Sequence, residues 1–154
     1  MKEELKVEVL YKNTDISPIE HFVQGDWIDL RCAEYGGVFM LKGEYHMIKL
    51  GVAMKLPDGY EAIVSPRSST FKKYGVIQTN SIGVIDGSFC GNNDEWLLPV
   101  YATRDTFIPF NERICQFRIF EHQPRINFEP VWQLSDTDRG GFGSTDAKEN
   151  ENKN

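Results

Sequence analysis

Short apolar runs rich in β-branched and aromatic residues recur along the chain between turn-forming residues, and helical periodicity is weak. Such closely spaced runs are typical of an all-β sandwich or barrel. Candidate strands span residues 5–11, 27–34, 46–54, 60–66, 76–85, 95–102, 114–121 and 128–134. The segments between them include PDG, GNND, IPFNE and HQPRI, whose residues favour turns. The pattern therefore predicts an all-β fold.

Two segments have more local signals. Residues 38–49, VFMLKGEYHMIK, predict a hairpin closed by Lys42, Gly43 and Glu44. Residues 66–75, PRSSTFKKYG, begin with Ser and Thr, which favour helix starts, and end at a glycine. They predict one short helix after Pro66.

The predicted domain organisation is simple, because 154 residues suffice for one domain with its own core. We expect that domain to span residues 1–137. A glycine-rich motif follows over residues 138–145, and residues 146–154, DAKENENKN, predict a disordered tail.

Composition narrows the classes of function. The sequence has no apolar window long enough for a membrane span, and its N-terminus MKEELKVEVLYKN is charged, which predicts a cytoplasmic protein without membrane attachment. With 17 basic and 23 acidic residues, the net charge is −6, so we expect no nucleic-acid-coating surface. Any anionic ligand then requires a local site.

Cysteine and histidine spacing gives no signal for a metal centre. The cysteines at 32, 90 and 115 form no CxxC motif and are expected to be small buried hydrophobic residues. The histidines at 21, 46 and 122 lie far apart and have no helical metal-ligand spacing.

Four segments contain candidate chemistry, and each has a structural alternative. SPRSST places Arg67 and the hydroxyls of the three residues after it at a helix start. This fits either a phosphate site or a capped surface helix. Asp86 ends an apolar run beside glycines, where it could hold a water or start a turn. Arg113 and Gln116 could each bind a ligand or belong to a cross-strand surface pair. The glycines of DRGGFGST could wrap phosphate oxygens or form a flexible linker.

The order of these segments is more specific than any one of them. An Asp in DWIDL, then PRSS, GVIDGSF, RICQF and DRGGFGST follow one another along the chain. This series resembles the five motifs of the trimeric dUTP pyrophosphatase (dUTPase) family, over about residues 25–145. The segments GDWIDL and PRSST are most similar to the Bacillus and bacteriophage type.

The resemblance implies a distorted jelly-roll-like β-barrel with a flexible C-terminal arm. It also implies a homotrimer with active sites shared by three subunits, hydrolysing dUTP to dUMP and pyrophosphate with Mg²⁺ on the triphosphate. Asp86 would orient the water that attacks the α-phosphorus, and Asp29 would reach the magnesium through a water. No protein-only metal cage is implied.

The remaining site residues are assigned from the same motifs. Asn80 with Gly83, Val84 and Ile85 would read the uracil edge, and Phe89, where the family more often has Tyr, would pack against the deoxyribose. Phosphate contacts would come from Arg67, Ser68, Ser69 and Gln116. The arm would supply Arg139 for the phosphates, Phe142 over the uracil, and Gly143, Ser144 and Thr145 around the γ-phosphate.

Two alternatives remain open at this level. The dCTP deaminase branch of the same fold also has an RSS segment and uses a glutamate after the motif that contains Asp86, and Glu95 lies in about that region. A nucleotide-binding regulatory protein with an added protein partner is the second alternative.

Overall fold

The computed structural model describes residues 4–20 and 24–143, in which eleven strands and one helix occur. The strands are β1 Glu8–Tyr11, β2 Ile28–Arg31, β3 Val38–Met40, β4 Tyr45–Lys49, β5 Val52–Lys55, β6 Tyr60–Pro66, β7 Val76–Gln78, β8 Gly83–Ile85, β9 Leu97–Ala102, β10 Thr106–Ile108 and β11 Arg113–Glu121. The helix, α1, is Thr70–Tyr74. The chain divides into two compact units, the first ending at Gln123 and the second beginning at Pro124.

All strand pairs in the first unit are antiparallel. The largest sheet has the order β2-β11-β6-β8, and a second sheet has the order β4-β9-β7. Two further pairs, β1 with β5 and β3 with β10, complete the set. The all-β prediction is therefore confirmed, and β6 matches the predicted strand over residues 60–66.

The core follows from alternation along the strands. In β9 the residues Leu98, Val100 and Ala102 are buried, whereas Leu97 and Tyr101 face outward. This period of two is expected for strands that bury one face. Alternation breaks in β11, where a bulge in its pairing with β2 allows two successive residues to be buried.

Trp96 and Phe117 are the largest fully buried side chains in the described residues, and their rings meet edge to face with centroids 5.3 Å apart. This geometry favours the interaction of the two ring quadrupoles. Truncating Phe117 to alanine would cost about 3–5 kcal/mol of folding stability.

The predicted helix after Pro66 is confirmed as one turn of five residues. It ends at Gly75, which has a left-handed conformation with φ 62° and donates its N–H to Phe71 O. A Cβ at this glycine would lie 2.5 Å from Arg104 Nε, so both φ and space require glycine. No helix in the described residues is long and apolar enough to cross a membrane.

The hairpin predicted over residues 38–49 is wrong. A turn does form, with Glu44 N–H donating to Leu41 O, but β3 pairs with β10 and β4 pairs with β9. The turn itself is anchored elsewhere, since Gly43 N–H donates to Ala102 O and Lys42 N–H to the Asp105 carboxylate. These long-range bonds direct the two strands to different partners.

Two predicted strands are each divided. Residues 46–54 break at Gly51, whose φ is 71°, giving β4 and β5. Residues 76–85 break between β7 and β8, where Ser81 has a φ of 59°. The predicted turn IPFNE begins inside β10.

The strand predicted over residues 128–134 is also wrong, because this segment of the second unit has no strand. Its apolar side chains are exposed, including Phe128 and Trp132. Pro130 lacks an N–H for a ladder, and no described strand pairs with the segment.

The cysteine expectation holds in part. Cys32 and Cys115 are buried, and burial raises the pKa of each thiol, so both behave as small hydrophobic residues. Cys90 is exposed, contrary to expectation, because it lies in the turns that follow Asp86.

Candidate active site

The first group of candidate residues lies along β8, and we call residues 80–89 the β8 segment. β8 is an edge strand that pairs only with β6 in the described residues, through Ala62 with Ile85, Ile63 with Val84 and Val64 with Gly83. Alternate backbone N–H and C=O groups of an edge strand point away from the sheet. Val84 is exposed and Phe89 is partly exposed. The β8 segment thus offers unpaired backbone groups beside an accessible ring.

Asp86 follows β8 directly and forms a turn through its side chain. Its Oδ1 accepts hydrogen bonds from the hydroxyl of Ser88 and from Ser88 N–H, the latter at 2.8 Å. Phe89 N–H donates to Asp86 O at 3.2 Å. The two bonds from Ser88, that from its hydroxyl first, lower the pKa of the Asp86 carboxyl, so it is ionised at neutral pH.

The turn and catalytic interpretations of Asp86 are therefore compatible. The turn occupies Oδ1, and no described residue hydrogen-bonds Oδ2. The carboxylate is exposed. A water could be held by the remaining oxygen while the turn fixes the orientation of the carboxylate. Ser88 was not identified from the sequence, although a Ser two residues after an Asp is typical of such turns.

A second residue missed by sequence reasoning is Gln78, which ends β7 and is buried. Its Nε2 donates to Asn80 Oδ1 at 2.9 Å and to Val64 O at 3.2 Å. The signal was present, because alternation from buried Val76 through exposed Ile77 places a polar residue at a buried position.

The second group lies where β2, β6 and β11 meet, and we call Asp29, residues 66–70 and Gln116 the phosphate corner. Arg67 Nε lies 3.0 Å from Asp29 Oδ1, and its Nη1 donates weakly to Arg113 O at 3.4 Å. Arg113 Nη1 lies 3.8 Å from Asp29 Oδ2. Arg67 is therefore held in place while part of its side chain remains accessible.

Thr70 organises the backbone of this corner. Its Oγ1 accepts from Arg67 N–H at 3.0 Å and donates to Ile114 O at 2.8 Å. Thr70 is buried, so both bonds are shielded from water. Ser69 is the N-cap but makes no side-chain cap bond. The expected hydroxyl cap is thus replaced by a bond that ties Arg67 to β11.

Gln116 belongs to the same corner. It is opposite Asp29 in the β11–β2 pairing and opposite Ser65 in the β11–β6 pairing, and its Nε2 donates to Pro66 O at 3.0 Å. Arg113 is opposite Arg31 in the β11–β2 pairing. Ser68 is exposed, and its hydroxyl has no hydrogen bond to another described residue.

An open groove of about 490 Å³ adjoins the corner. Its lining residues come from the end of β6 and the loop after it, from α1, and from β7 and the loop after it: Pro66, Arg67, Phe71, Val76, Ile77, Gln78 and Ser81. Phe71 and Ile77 contribute exposed apolar surface beside the guanidinium of Arg67.

Within one chain the Asp86 end of the β8 segment is far from Arg67 in the phosphate corner. Ile85 is opposite Ala62 near the start of β6, whereas Arg67 follows Pro66 at its end. Six residues of extended chain, from the level of Asp86 to Arg67, span about 20 Å. Arg67 also contacts Asp29 on β2, at the opposite edge of the sheet from β8. One chain does not bring Asp86 and Arg67 together, although Ser81, at the other end of the β8 segment, lines the groove beside Arg67.

The remaining candidates lie in the second unit. Arg139, Phe142 and Gly143 are exposed there, and Gly143 has a φ of 79°. Ser144 and Thr145, and the predicted tail 146–154, lie outside the described residues.

The donor set constrains metal binding. The described residues contain no cluster of three or more His, Cys, Asp or Glu side chains suited to a metal ion. Both oxygens of Asp29 face arginines, which leaves the carboxylate poorly suited to direct coordination. It fits contact with a magnesium-bound water, because Mg²⁺ keeps several waters and prefers oxygen ligands.

Comparison with known proteins identifies the family. A family model described as dUTPase matches residues 28–146. The chain belongs to the dUTPase family. It is 51% identical over 144 residues to the SPbeta prophage-derived deoxyuridine 5'-triphosphate nucleotidohydrolase of Bacillus subtilis, covering 94% of this chain and 100% of that protein. The predicted resemblance to Bacillus and phage dUTPases is confirmed.

More distant dUTPases agree. The deoxyuridine 5'-triphosphate nucleotidohydrolase of Finegoldia magna is 31% identical over 145 residues, covering 92% of this chain and 99% of that protein. A solved structure of the dUTPase of Staphylococcus bacteriophage 80α superposes with a TM-score of 0.74 at 20% identity, covering 90% of this chain and 98% of that one. The fold is that of the dUTPases, which confirms the jelly-roll-like prediction.

Proposed function

We propose that the chain hydrolyses dUTP to dUMP and pyrophosphate through a water held by Asp86. The observation that carries this proposal is the exposed Asp86 carboxylate, ionised and oriented by Ser88 through Oδ1 at the end of an edge strand. A lowered pKa makes it a weak base, so its main contribution is to position the water against the α-phosphorus. Family membership supports dUTP as the substrate.

The β8 segment is proposed to bind the nucleoside. The unpaired edge of Gly83, Val84 and Ile85 would contact the uracil through backbone groups, together with the Asn80 amide. A base edge carries donors and acceptors at spacings that an unpaired strand edge can match. The partly exposed ring of Phe89 would pack against the deoxyribose.

The phosphate corner is proposed to bind the triphosphate. Arg67 would supply charge, and the hydroxyls of Ser68 and Ser69 and the amide of Gln116 would add hydrogen bonds. The contacts of Arg67 with Asp29 and of Thr70 with Ile114 support this role, because they orient the guanidinium before the substrate arrives.

Magnesium is proposed as the cofactor. Asp29 would hold a magnesium-bound water, and the ion would neutralise charge on the triphosphate. The two arginines beside Asp29 support contact with a magnesium-bound water over direct coordination of the ion.

A homotrimer with shared sites is proposed from the separation of Asp86 and Arg67. Asp86 of one subunit would meet the phosphate corner of another, since about 20 Å of extended chain separates Asp86 from Arg67 within one subunit. An exposed apolar row crosses the second sheet, where Tyr45 pairs with Tyr101 and Tyr101 with Ile77. Exposed apolar surface of this kind favours association.

The glycine-rich motif is proposed to close over bound nucleotide. Phe142 would stack on the uracil, Arg139 would meet the phosphates, and Gly143, Ser144 and Thr145 would wrap the γ-phosphate. The exposed Phe142 ring and the positive φ of Gly143 support this role.

The cytoplasmic location and the absence of nucleic-acid binding stay predictions from the sequence.

The decisive assay incubates the purified protein separately with dUTP and dCTP and follows pyrophosphate and ammonia. Pyrophosphate from dUTP is the expected result. Ammonia from dCTP would instead indicate deaminase chemistry, with Glu95 as the first residue to test. Binding of dUTP without turnover would support a regulatory protein.

Truncation after Asp138 tests the arm. The shortened protein should still fold and still have the mass of three shortened subunits in native buffer. It should lose most dUTP turnover, because the arm closes on the substrate without supporting the core. Truncation after Thr145 removes only the tail and is the matched control. Full activity after the first truncation would remove the arm from the site.

A further inference from the structure

Gln78 makes a chain of amide contacts beside the proposed uracil site. One Nε2 proton is donated to Val64 O at 3.2 Å and the other to Asn80 Oδ1 at 2.9 Å. Gln78 is 6% exposed, whereas Asn80 is exposed. A buried amide thus holds the side chain of a residue that faces the ligand.

The backbone carbonyl of Val64 determines how the side-chain amides of Gln78 and Asn80 are oriented. A backbone carbonyl only accepts hydrogen bonds, so the Gln78 amide must turn its NH₂ group toward Val64 O. The same NH₂ group then faces Asn80, which must present its own oxygen. Asn80 Nδ2 is left pointing away from Gln78, with no hydrogen bond to a described residue.

Gly83 leaves the room that this arrangement needs. A Cβ at position 83 would lie 3.7 Å from both Gln78 Nε2 and Val64 O, and 3.1 Å from Val64 Cβ. A larger side chain at this position would crowd the contact between the Gln78 amide and the Val64 carbonyl. A side chain at the start of β8 would therefore meet Val64 most closely and reach the Gln78 amide at contact distance.

We propose that Gln78 is a positioning residue that locks the Asn80 amide with Nδ2 outward, so that the site selects a carbonyl oxygen at position 4 of the pyrimidine. Uracil has that oxygen, whereas cytosine has an amino group that would oppose a second donor. The inference rests on the proposed function of the β8 segment, and names the residue that sets base selectivity there.

The unused oxygen of Gln78 supports a role in selectivity over one in stability. Gln78 Oε1 is buried and has no hydrogen-bond partner in the described residues. A buried acceptor without a partner destabilises the folded state, so an apolar residue would suit the position better for folding. The glutamine is explained by what its amide does to Asn80.

The test measures kcat/KM for dUTP and for dCTP in the same preparation, because their ratio is independent of the fraction of active protein. In Gln78→Leu the Asn80 amide can turn over, and the dUTP preference should fall about tenfold or more. The fall should arise in KM more than in kcat. The thermal midpoint reports on folding separately, because Gln78→Leu removes both the orphaned oxygen and the donor to Val64 O.

Gln78→Glu gives a sharper outcome. Burial raises the pKa of a carboxyl, and a protonated Glu would donate to Val64 O while its other oxygen accepts from Asn80. The Asn80 amide would then present Oδ1 outward, and the preference should move further toward dCTP than in Gln78→Leu.

Val76→Ala is the control, because Val76 is buried on the same face of β7. This variant should lower the thermal midpoint without changing the ratio of kcat/KM for the two nucleotides.

A double-mutant cycle with Asn80→Ala completes the test. If Gln78 acts through Asn80, then Gln78→Leu has no further effect on the ratio once Asn80 is alanine. An unchanged ratio in Gln78→Leu, with wild-type protein that hydrolyses dUTP, overturns this inference and leaves the proposed function standing. Wild-type protein that hydrolyses neither nucleotide overturns the proposed function, and this inference with it.

Discussion

The β8 segment and the phosphate corner are built in different ways. Asp86 is held by local bonds to Ser88, two residues away, on an exposed edge strand. Arg67 is held by Asp29 and by Arg113 O, contacts that join β2, β6 and β11. The corner is therefore cross-linked by the sheet, while the β8 segment has backbone groups without partners in the described chain. In the proposed site, the charged residues are therefore positioned before binding, whereas the proposed nucleoside contacts still lack partners in the described residues.

This contrast predicts that the two regions respond differently to substitution. Changes in the β8 segment should act on the chemical step and on base choice. Changes in the corner should act on affinity for the triphosphate.

Asp86→Asn should have the largest effect. Turnover of dUTP should fall by about 10³-fold while dUTP binding persists, because the amide keeps the turn but is a poor proton acceptor. Steady-state rates and calorimetric binding measure the two quantities. Asp94→Asn is the matched control, since Asp94 accepts from Gly91 N–H in the same loop. Turnover near the wild-type rate in Asp86→Asn would contradict the assignment of the base.

Mixing two inactive variants tests whether the regions meet between subunits. Asp86→Asn and Arg67→Ala, denatured and refolded together in equal amounts, should regain activity at up to about a quarter of the sites, those with both native residues. Each variant refolded separately is the control, and native mass measurement checks for the trimer. If the mixture stays as inactive as its components, the site lies within one chain.

Arg67→Lys should have an intermediate effect. A lysine cannot reproduce the separate contacts of Nε with Asp29 and of Nη1 with Arg113 O, so the KM for dUTP should rise about tenfold with a smaller change in kcat. Arg104→Lys is the control, because Arg104 binds the Lys72 and Lys73 carbonyls at the other end of α1. A drop confined to kcat would instead link Arg67 to the chemical step.

Ser88→Ala should have the smallest effect, visible only in the pH profile. The Ser88 hydroxyl favours the ionised carboxylate and so lowers the pKa of Asp86. Its loss raises that pKa, and the acid limb of kcat/KM should move to higher pH while the rate at neutral pH changes little. In folding, the stabilisation by this bond is present above the unfolded-state pKa and is lost as the pH falls through the folded-state pKa. An acid limb at the wild-type position would show that Asp86 is not the titrating base.

Local sequence signals predicted the all-β fold class and the short helix that ends at Gly75. Such predictions succeed because turn-forming residues and the alternation of apolar and polar residues act over a few positions. Strand pairing was harder to predict. The turn at Gly43 looked like a hairpin, but bonds to Ala102 and Asp105, far away along the chain, decide where β3 and β4 go.

The candidate site shows the same division. Its motif residues were found from their order along the chain, whereas Thr70 and Gln78 were missed as functional contacts. Their importance depends on which carbonyls lie beside them, Ile114 O and Val64 O, and pairing decides that. Residues 128–134 have the composition of a strand, but they form none in the described structure.

The short, open edge of β8 also bears on solubility. An unpaired edge strand is a template on which another chain can add a strand and begin to aggregate. Here the edge is limited to Gly83–Ile85, with Ser81 in a left-handed conformation before it and the Asp86 turn after it. A foreign strand would find too few successive backbone groups for a stable ladder. The shortness of this edge therefore limits strand addition while its backbone groups stay accessible.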